Sequence, residues 1–434
     1  RDSMHTVNQP PLHQAPPHQQ NGPINRTCPH QNTARNRTRR KIPLHELVDH
    51  APRDCETGHN GAMRKIPPML MPRDGRFGSG PAKIRPEALA SLASVGTSLL
   101  GTSHRQSPVK RLVGTIREGL SELYHLPSGY EVILGNGGAS QFWDIAVCGL
   151  VEQRSAHGVF GEFGGKFATA SAQAPHLADP IIHEVAPGSV VLPQPDDDAD
   201  VHAWAHNETS TGAVAPVRRS GTKALTVIDG TSAAGALNVD PEQFDVYYFA
   251  PQKAFASDGG LWFALCSPAA IERAERIAAS GRWIPTSLSL VEARANSLKN
   301  QTVNTPSLST LWLMKEQLFW VLENGGISFA ERRARENTDQ VYTWAEEHAH
   351  ATPFVEAEYR SPVVATIDFD DAIDATKIAS TLRHNSIVDV EPYRKLGRNQ
   401  LRFGLFPAVD AEDVSRLLGC IDWLLTHPDE DPDT

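Results

Sequence analysis

The chain has 434 residues, 40% hydrophobic and 21% charged, with a net charge of −10. Such composition gives a globular protein with room for two domains and a large core. It excludes a general nucleic-acid or membrane surface, and an anionic ligand would need a local cationic pocket against the global sign; no apolar run is long enough to span a bilayer.

Residues 1–66 are rich in Pro, His, Gln, Asn and Arg, and residues 35–41 form a basic run. Such a stretch buries too little surface to offset its ordering entropy, which predicts disorder. A translation start assigned too far upstream, with the true start near Met63, Met69 or Met71, explains it equally well. A nucleic-acid or targeting role is the third reading, ranked below these two because charge runs are usually solvated. The stretch lacks the apolar core of a secretory signal. The five cysteines (Cys28, Cys55, Cys148, Cys266 and Cys420) form no CxxC pair and no zinc spacing. Free thiols in a reducing cytoplasm, with no metal, is the expectation.

The globular part opens on the glycine-rich turn Gly75-Arg76-Phe77-Gly78-Ser79-Gly80-Pro81. Periodicity then predicts a helix over 109–123, a strand over 130–134, a helix over 141–151 and a short strand over 158–160. Strands follow over 202–206, 224–228 and 246–249, the last with a hairpin partner over 261–265. This alternation implies a mostly parallel sheet covered by helices. A long apolar helix over 308–323 ends at Asn324-Gly325-Gly326, a plausible C-cap. A helix over 327–348 leads into a smaller α+β unit, with strands over 363–369 and 400–406 and helices over 374–384 and 410–425. The expected organisation is an extension over 1–66, a large domain with an N-terminal arm over 67–325, and a small C-terminal domain over 326–434.

Ligands in such sheets gather beyond the carboxyl ends of the strands, where Gly135, His206, Asp229 and Lys253 fall. Lys253 follows an apolar strand, and a desolvated amine there can attack an aldehyde. The bland alternative is a surface lysine. Asp229 ends the preceding strand; a carboxylate there can hold a pyridine nitrogen protonated, or merely cap a helix. Gly135-Asn136-Gly137-Gly138-Ala139-Ser140 joins strand to helix, and is either a phosphate cup or an ordinary turn. It matches neither the dinucleotide fingerprint nor a P-loop. His206-Asn207-Glu208-Thr209-Ser210-Thr211-Gly212 reads first as a polar turn, and second as a cofactor contact through Thr209. Asn304-Thr305-Pro306-Ser307 reads as a helix start. His104-Arg105 lies among small polar residues. Arg402 stands in an apolar strand and suits either a carboxylate ligand or a structural ion pair. Arg394 and Arg398 lie on the loop before it.

The ordered set of these segments resembles the class V, fold-type I aminotransferases dependent on pyridoxal 5′-phosphate, and within them the actinobacterial phosphoserine-converting branch. The likeness covers roughly residues 72–425. It is carried by Phe77-Gly78-Ser79-Gly80-Pro81, Ser103-His104-Arg105, His206-Asn207-Glu208-Thr209, Ala250-Pro251-Gln252-Lys253 and Val303-Asn304-Thr305-Pro306. The resemblance implies a fold-type I α/β architecture with a seven-stranded sheet. It implies that Lys253 holds the cofactor as a Schiff base and that Asp229 pairs with its ring nitrogen. Gly138, Ala139 and Ser140 would meet its phosphate, with Thr209 and Gln252 as further contacts. Asn304 and Thr305 would reach the neighbouring subunit's site, making a homodimer obligatory. His104, Arg105, Arg402 and, more weakly, Arg394 would bind the substrate's carboxylate and phosphate groups.

Many members carry a tryptophan over the cofactor ring, where this chain has Gly161-Glu162-Phe163-Gly164-Gly165-Lys166-Phe167. Phe163 is expected to stack there in preference to Phe167. The implied reaction is amino transfer between O-phospho-L-serine and 2-oxoglutarate, giving 3-phosphohydroxypyruvate and L-glutamate. It would serve L-serine synthesis, with vitamin B6 synthesis as a second destination. The alternatives are a glyoxylate aminotransferase, a cysteine desulfurase, or a cofactor-binding protein without turnover. Cys266 and Cys420, inside apolar segments, argue against the desulfurase.

Overall fold

The computed structural model describes residues 64–427. The basic run, Cys28, Cys55 and the candidate start at Met63 lie outside the described residues. Seven strands build the main sheet: β1 Glu131–Asn136, β2 Ser155–Val159, β3 Ile181–Glu184, β4 Val201–Ala205, β5 Leu225–Asp229, β6 Val246–Phe249 and β7 Leu261–Cys266, in the order β1-β7-β6-β5-β4-β2-β3. Only β7 runs against its neighbours, β1 and β6. Phe249 pairs with Phe263, so the expected hairpin partner of β6 is in place. The edge strand β3 was not expected; its four residues alternate between half-buried and exposed, too short a signal to read.

The helices are α1 Pro86–Leu99, α2 Ser107–Leu123, α3 Ala139–Gly149, α4 Glu162–Ala172, α5 Pro268–Ala279, α6 Leu290–Ser297, α7 Leu308–Glu323, α8 Gly326–Glu347, α9 Ala375–His384 and α10 Ala411–Thr426. Successive strand residues point to opposite faces, and β6 shows how this sorts the core. Tyr247 and Phe249 pack with α2 and α7, whereas Val246 and Tyr248 pack with α3, α5 and α6. Full burial of such side chains stabilises the fold by roughly 1.5–3 kcal/mol each. Because both faces are covered, β6 is an unbroken apolar run rather than an alternating one.

Sequence reading missed α1, α4, α5 and α6. Helix α5 carried a signal: Ser267 caps it, its hydroxyl accepting from the Ala270 amide at 3.2 Å, and Pro268 opens it.

A second, antiparallel sheet contains β8 Ala351–Pro353, β9 Val364–Phe369 and β10 Gln400–Gly404. Its core includes Val341 of α8, Leu382 of α9 and Ile421 of α10. The N-terminal arm corrects two expectations. Ile66 is buried in this core, and its amide donates to Asn385 Oδ1 at 3.0 Å, so packed chain begins inside the stretch expected to be disordered. Phe77 is buried in the same core, so the arm packs on the small sheet although the sequence assigned it to the large domain. The Gly404 amide donates to Phe77 O at 2.7 Å, and a Cβ on Gly404 would lie 2.2 Å from Gly78 O. This crossing ends β10 two residues before the expected limit. The arm's apolar residues are isolated between prolines and glycines, and their partners lie some 300 residues away; local periodicity carries no trace of either.

Candidate active site

The turn after β1 and the carboxyl ends of β4, β5 and β6 frame a cavity of about 420 Å³. Lys253 lies in the turn after β6 and is only 7% exposed. Its Nζ donates to Thr209 Oγ1 at 2.8 Å and to Ser79 O at 3.0 Å. Burial, reinforced by the positive charge of Arg402, pushes the amine down to about 7, while Asp229 and Glu208 pull the other way. Near neutral pH a large share of Lys253 is therefore the free base.

Asp229 closes β5 and lines the same cavity. Its Oδ1 accepts from the Thr231 amide at 2.8 Å. Burial nevertheless raises its pKa, against the opposing pull of that hydrogen bond and of Lys253. A carboxylate so placed gains from any cation brought into the cavity.

The β1–α3 turn supplies the third wall. Gly137 has φ 115° and passes so close to Gln141 that a Cβ would fall 1.8 Å from Oε1. Gly138 caps α3, and a Cβ there would meet nothing within 4 Å. Backbone at Gly138, Ala139 and Ser140 is thus open to the cavity. The first amides of a helix have no carbonyl one turn back, which suits an anion.

The segment expected first to be a polar turn is instead buried throughout, from His206 to Thr211. Each member ties down a different part of the site. Asn207 Nδ2 donates to Ser232 Oγ at 2.9 Å. Thr209 receives Lys253 on its hydroxyl and Arg402 on its carbonyl, the latter at 3.1 Å. Thr211 O accepts from Thr366 Oγ1 of β9 at 2.7 Å.

Phe163 lines the cavity, its ring centroid 5.8 Å from Lys253 Nζ. Phe167 points elsewhere, into the core, stacked on Trp143. Tyr393 tilts against Phe163 at 6.0 Å and also faces the Arg402 guanidinium at 5.5 Å. Arg402 makes no ion pair to a carboxylate among the described residues, and its buried Nε has no partner. The structural-pair alternative for Arg402 is therefore absent here. Its neighbour Arg398 does make such a pair, with Asp368.

Eight of the singled-out residues line the cavity: Gly138, Ala139, Ser140, Phe163, Thr209, Asp229, Gln252 and Lys253. A second group meets beside it. His104 Nδ1 lies 3.2 Å from Thr305 Oγ1, and Arg105 donates to Gln301 Oε1 at 3.0 Å. Asn136 Nδ2 donates to Thr305 O at 2.9 Å, and Asn136 Oδ1 accepts from the Asn304 amide at 3.2 Å. Asn304 and Thr305 are exposed, as are Arg105 and Arg394, so none of these four lines the cavity.

Sequence reading did not single out Trp143, Asn207, Thr231 or Asp258, which also line the cavity. Asn207 and Thr231 each lie within two residues of a residue that it did choose, and that adjacency was the available signal. Trp143 and Asp258 carried none.

Asn207 Oδ1, Thr231 Oγ1 and Gln252 Oε1 are buried without partners. Buried polar atoms of this kind call for a bound partner. A free-base amine, a carboxylate awaiting a cation, an open helix N-terminus and a flanking aromatic ring form a donor set that fits pyridoxal 5′-phosphate. Cys266 and Cys420 are buried, their thiols raised by burial, and neither these nor the half-buried Cys148 lines the cavity, so the desulfurase alternative finds no cysteine there among the described residues.

The aminotransferase class-V family model matches residues 192–417. The chain is 58% identical over 365 residues to a putative phosphoserine aminotransferase of Mycolicibacterium vanbaalenii, spanning 83% of this chain and 98% of that one. Among solved structures it resembles a phosphoserine aminotransferase of Cytophaga hutchinsonii, with a TM-score of 0.75 and 23% identity over 81% of this chain and 99% of that one. It also resembles a PLP-bound phosphoserine aminotransferase of Trichomonas vaginalis, with a TM-score of 0.70 and 19% identity over 81% and 100% of the two chains.

Proposed function

The chain belongs to the class-V aminotransferases, and from that premise we propose that it transfers the amino group between O-phospho-L-serine and 2-oxoglutarate in L-serine synthesis. The near full-length likeness to phosphoserine aminotransferases supports the substrate, and the observation that carries the chemistry is the buried amine of Lys253, which lines one cavity with Asp229.

When bound, pyridoxal 5′-phosphate supplies an aldehyde that takes up the amino group and a ring that accepts the electron pair left at Cα. In this reading Lys253 would hold the aldehyde and, as a free amine, would take the proton from substrate Cα. Asp229 would keep the ring nitrogen protonated. Phe163 would supply an aromatic contact to the ring. Gly138, Ala139, Ser140, Thr209 and Gln252 hold the phosphate and ring substituents. Arg402, His104 and Arg105 bind the substrate's carboxylate and phosphate, with Arg394 on the outer loop. These cations reconcile an acidic protein with doubly anionic substrates.

We read 326–434 as the small domain, joined by the N-terminal arm that packs on its sheet, and the rest of 67–325 as the large one, on the support of two separate sheets with separate cores. Asn304 and Thr305, exposed at the cavity's flank, are read as reaching a second subunit's site in a homodimer. A cytoplasmic location accords with free thiols at Cys148, Cys266 and Cys420.

The test is a spectrum of the purified protein. O-phospho-L-serine should bleach the visible cofactor band, and 2-oxoglutarate should restore it with release of glutamate. Bleaching by alanine with no response to phosphoserine would move the reading to a glyoxylate enzyme. A band that responds to neither would indicate a binding protein without turnover.

Two further results are expected. Arg402→Ala should raise KM for both substrates by about tenfold to a hundredfold, since a charge-assisted hydrogen bond is worth about 1.5–3 kcal/mol. Steady-state kinetics with each substrate varied would check this, and unchanged KM values would remove Arg402 from the site. Uptake of the aldehyde by cofactor-free protein should accelerate as pH rises through about 7, because only the unprotonated amine attacks a carbonyl. Stopped-flow absorbance reads that rate; a profile flat across neutral pH would place the Lys253 pKa elsewhere.

A further inference from the structure

Glu208 is a fully buried carboxylate, 1% exposed, with no cationic side chain in ion-pair contact among the described residues. It is compensated by four donors instead. Its Oε2 accepts from the amides of Phe163 and Gly164, each at 3.1 Å. Its Oε1 accepts from the Ser210 amide at 3.1 Å and from Ser210 Oγ at 2.6 Å. Ser210 Oγ in turn accepts from the Glu162 amide at 3.0 Å. The first three amides of α4 are therefore all docked on the turn that carries Thr209. A carboxylate at a helix N-terminus also meets the favourable end of the helix dipole. The fit is close: a Cβ on Gly161 would lie 2.3 Å from Glu208 Cγ, so the chain before α4 must be glycine to admit this side chain.

We propose that Glu208 is a positioning residue for amino transfer: through these hydrogen bonds it sets the place of the Phe163 ring relative to Thr209 and Lys253. The proposal rests on the reading that Lys253 carries the cofactor beneath Phe163. Phe163 belongs to α4 and Thr209 to the turn after β4, and Glu208 ties the two together. Without it two amides of the helix end lose their shared acceptor and the ring loses its fixed height over the cavity. Neighbouring Thr209 would keep its contact with Lys253, so the damage should appear in cofactor retention and turnover more than in substrate binding.

The test uses Glu208→Gln and Glu208→Ala in the full-length holoenzyme. Gln keeps one acceptor oxygen for the α4 amides but turns an NH₂ toward the Ser210 amide. The cofactor should leave about tenfold faster from Glu208→Gln and about a hundredfold faster from Glu208→Ala than from wild type, following the loss of one or more charge-assisted hydrogen bonds. The visible circular dichroism of the bound cofactor should weaken in both. Hydrogen exchange at the Phe163 and Gly164 amides should accelerate, and kcat should fall about tenfold or more while KM for phosphoserine moves by less than about threefold. A merely structural Glu208 would lower the melting temperature and leave the dichroism, retention and kcat of the folded fraction as in wild type; that result overturns the proposal. If Glu208→Ala does not fold, Glu208→Gln decides alone. Borohydride reduction of wild type separates the premise from the proposal. A pyridoxyl tag on Lys253 with unaltered variants overturns the role of Glu208 only, whereas a tag elsewhere overturns both.

Discussion

Lys253→Ala should yield a colourless protein whose amino-transfer rate is lower by at least about 10⁴-fold, the top of the range for a positioned acid–base group. Two roles fall together. In the proposed reading the Nζ that reaches Thr209 Oγ1 and Ser79 O would both hold the aldehyde and serve as the base, its pKa pushed down to about 7. Among the described residues no other lysine lines the cavity. The substitution should not unfold the protein. Burying an amine costs free energy that alanine does not incur, and the lost hydrogen bonds are two. A melting curve at or above that of cofactor-free wild type, with no visible band and no transfer, is the expected pattern. In wild type, borohydride followed by peptide mapping should mark position 253. A yellow, active Lys253→Ala protein would end the assignment.

Asp229→Asn should lower kcat by about 10²–10³-fold, comparable to removing one preorganised electrostatic group from other active sites. The argument turns on sign. Burial raises the Asp229 pKa in the empty cavity, so the carboxylate is costly there unless a cation joins it. A protonated ring nitrogen is such a cation, and each then stabilises the other's charged form. Asparagine keeps the shape and can still accept from the Thr231 amide, but it cannot hold the ring nitrogen charged. Loss of the proton from Cα should then become more rate-limiting. A larger kinetic isotope effect with Cα-deuterated phosphoserine checks this, alongside the drop in kcat. Unaltered values would mean that the ring nitrogen faces another group.

The parallel α/β layout was legible because it is written in long, buried apolar runs. β4, β5 and β6 are buried at every position, and turn signals bound them. Helices α2 and α7 were legible for the same reason. Two of the misses share a physical cause. β3 is a four-residue edge strand, and α4 begins with two glycines in its first turn, so neither has periodicity enough to register. The burial of the 206–211 turn could not be read from its composition. Asn, Glu, Thr and Ser normally signal solvent, and here most of them instead bond to Ser232, α4, Lys253 and β9.

The amino-acid order by itself determined the chemistry on offer: an amine and a carboxylate at neighbouring strand ends, a small-residue cup, and the strand arginine. Strand ends in a parallel sheet converge whatever the loops do, so those residues meet by topology. Tertiary structure alone decided which candidates share the cavity, that Glu208 joins α4 to the Thr209 turn, and that the arm packs on the small sheet. Such outcomes depend on contacts between segments far apart in the chain, and on the desolvation those contacts impose. Neither leaves a mark in local sequence.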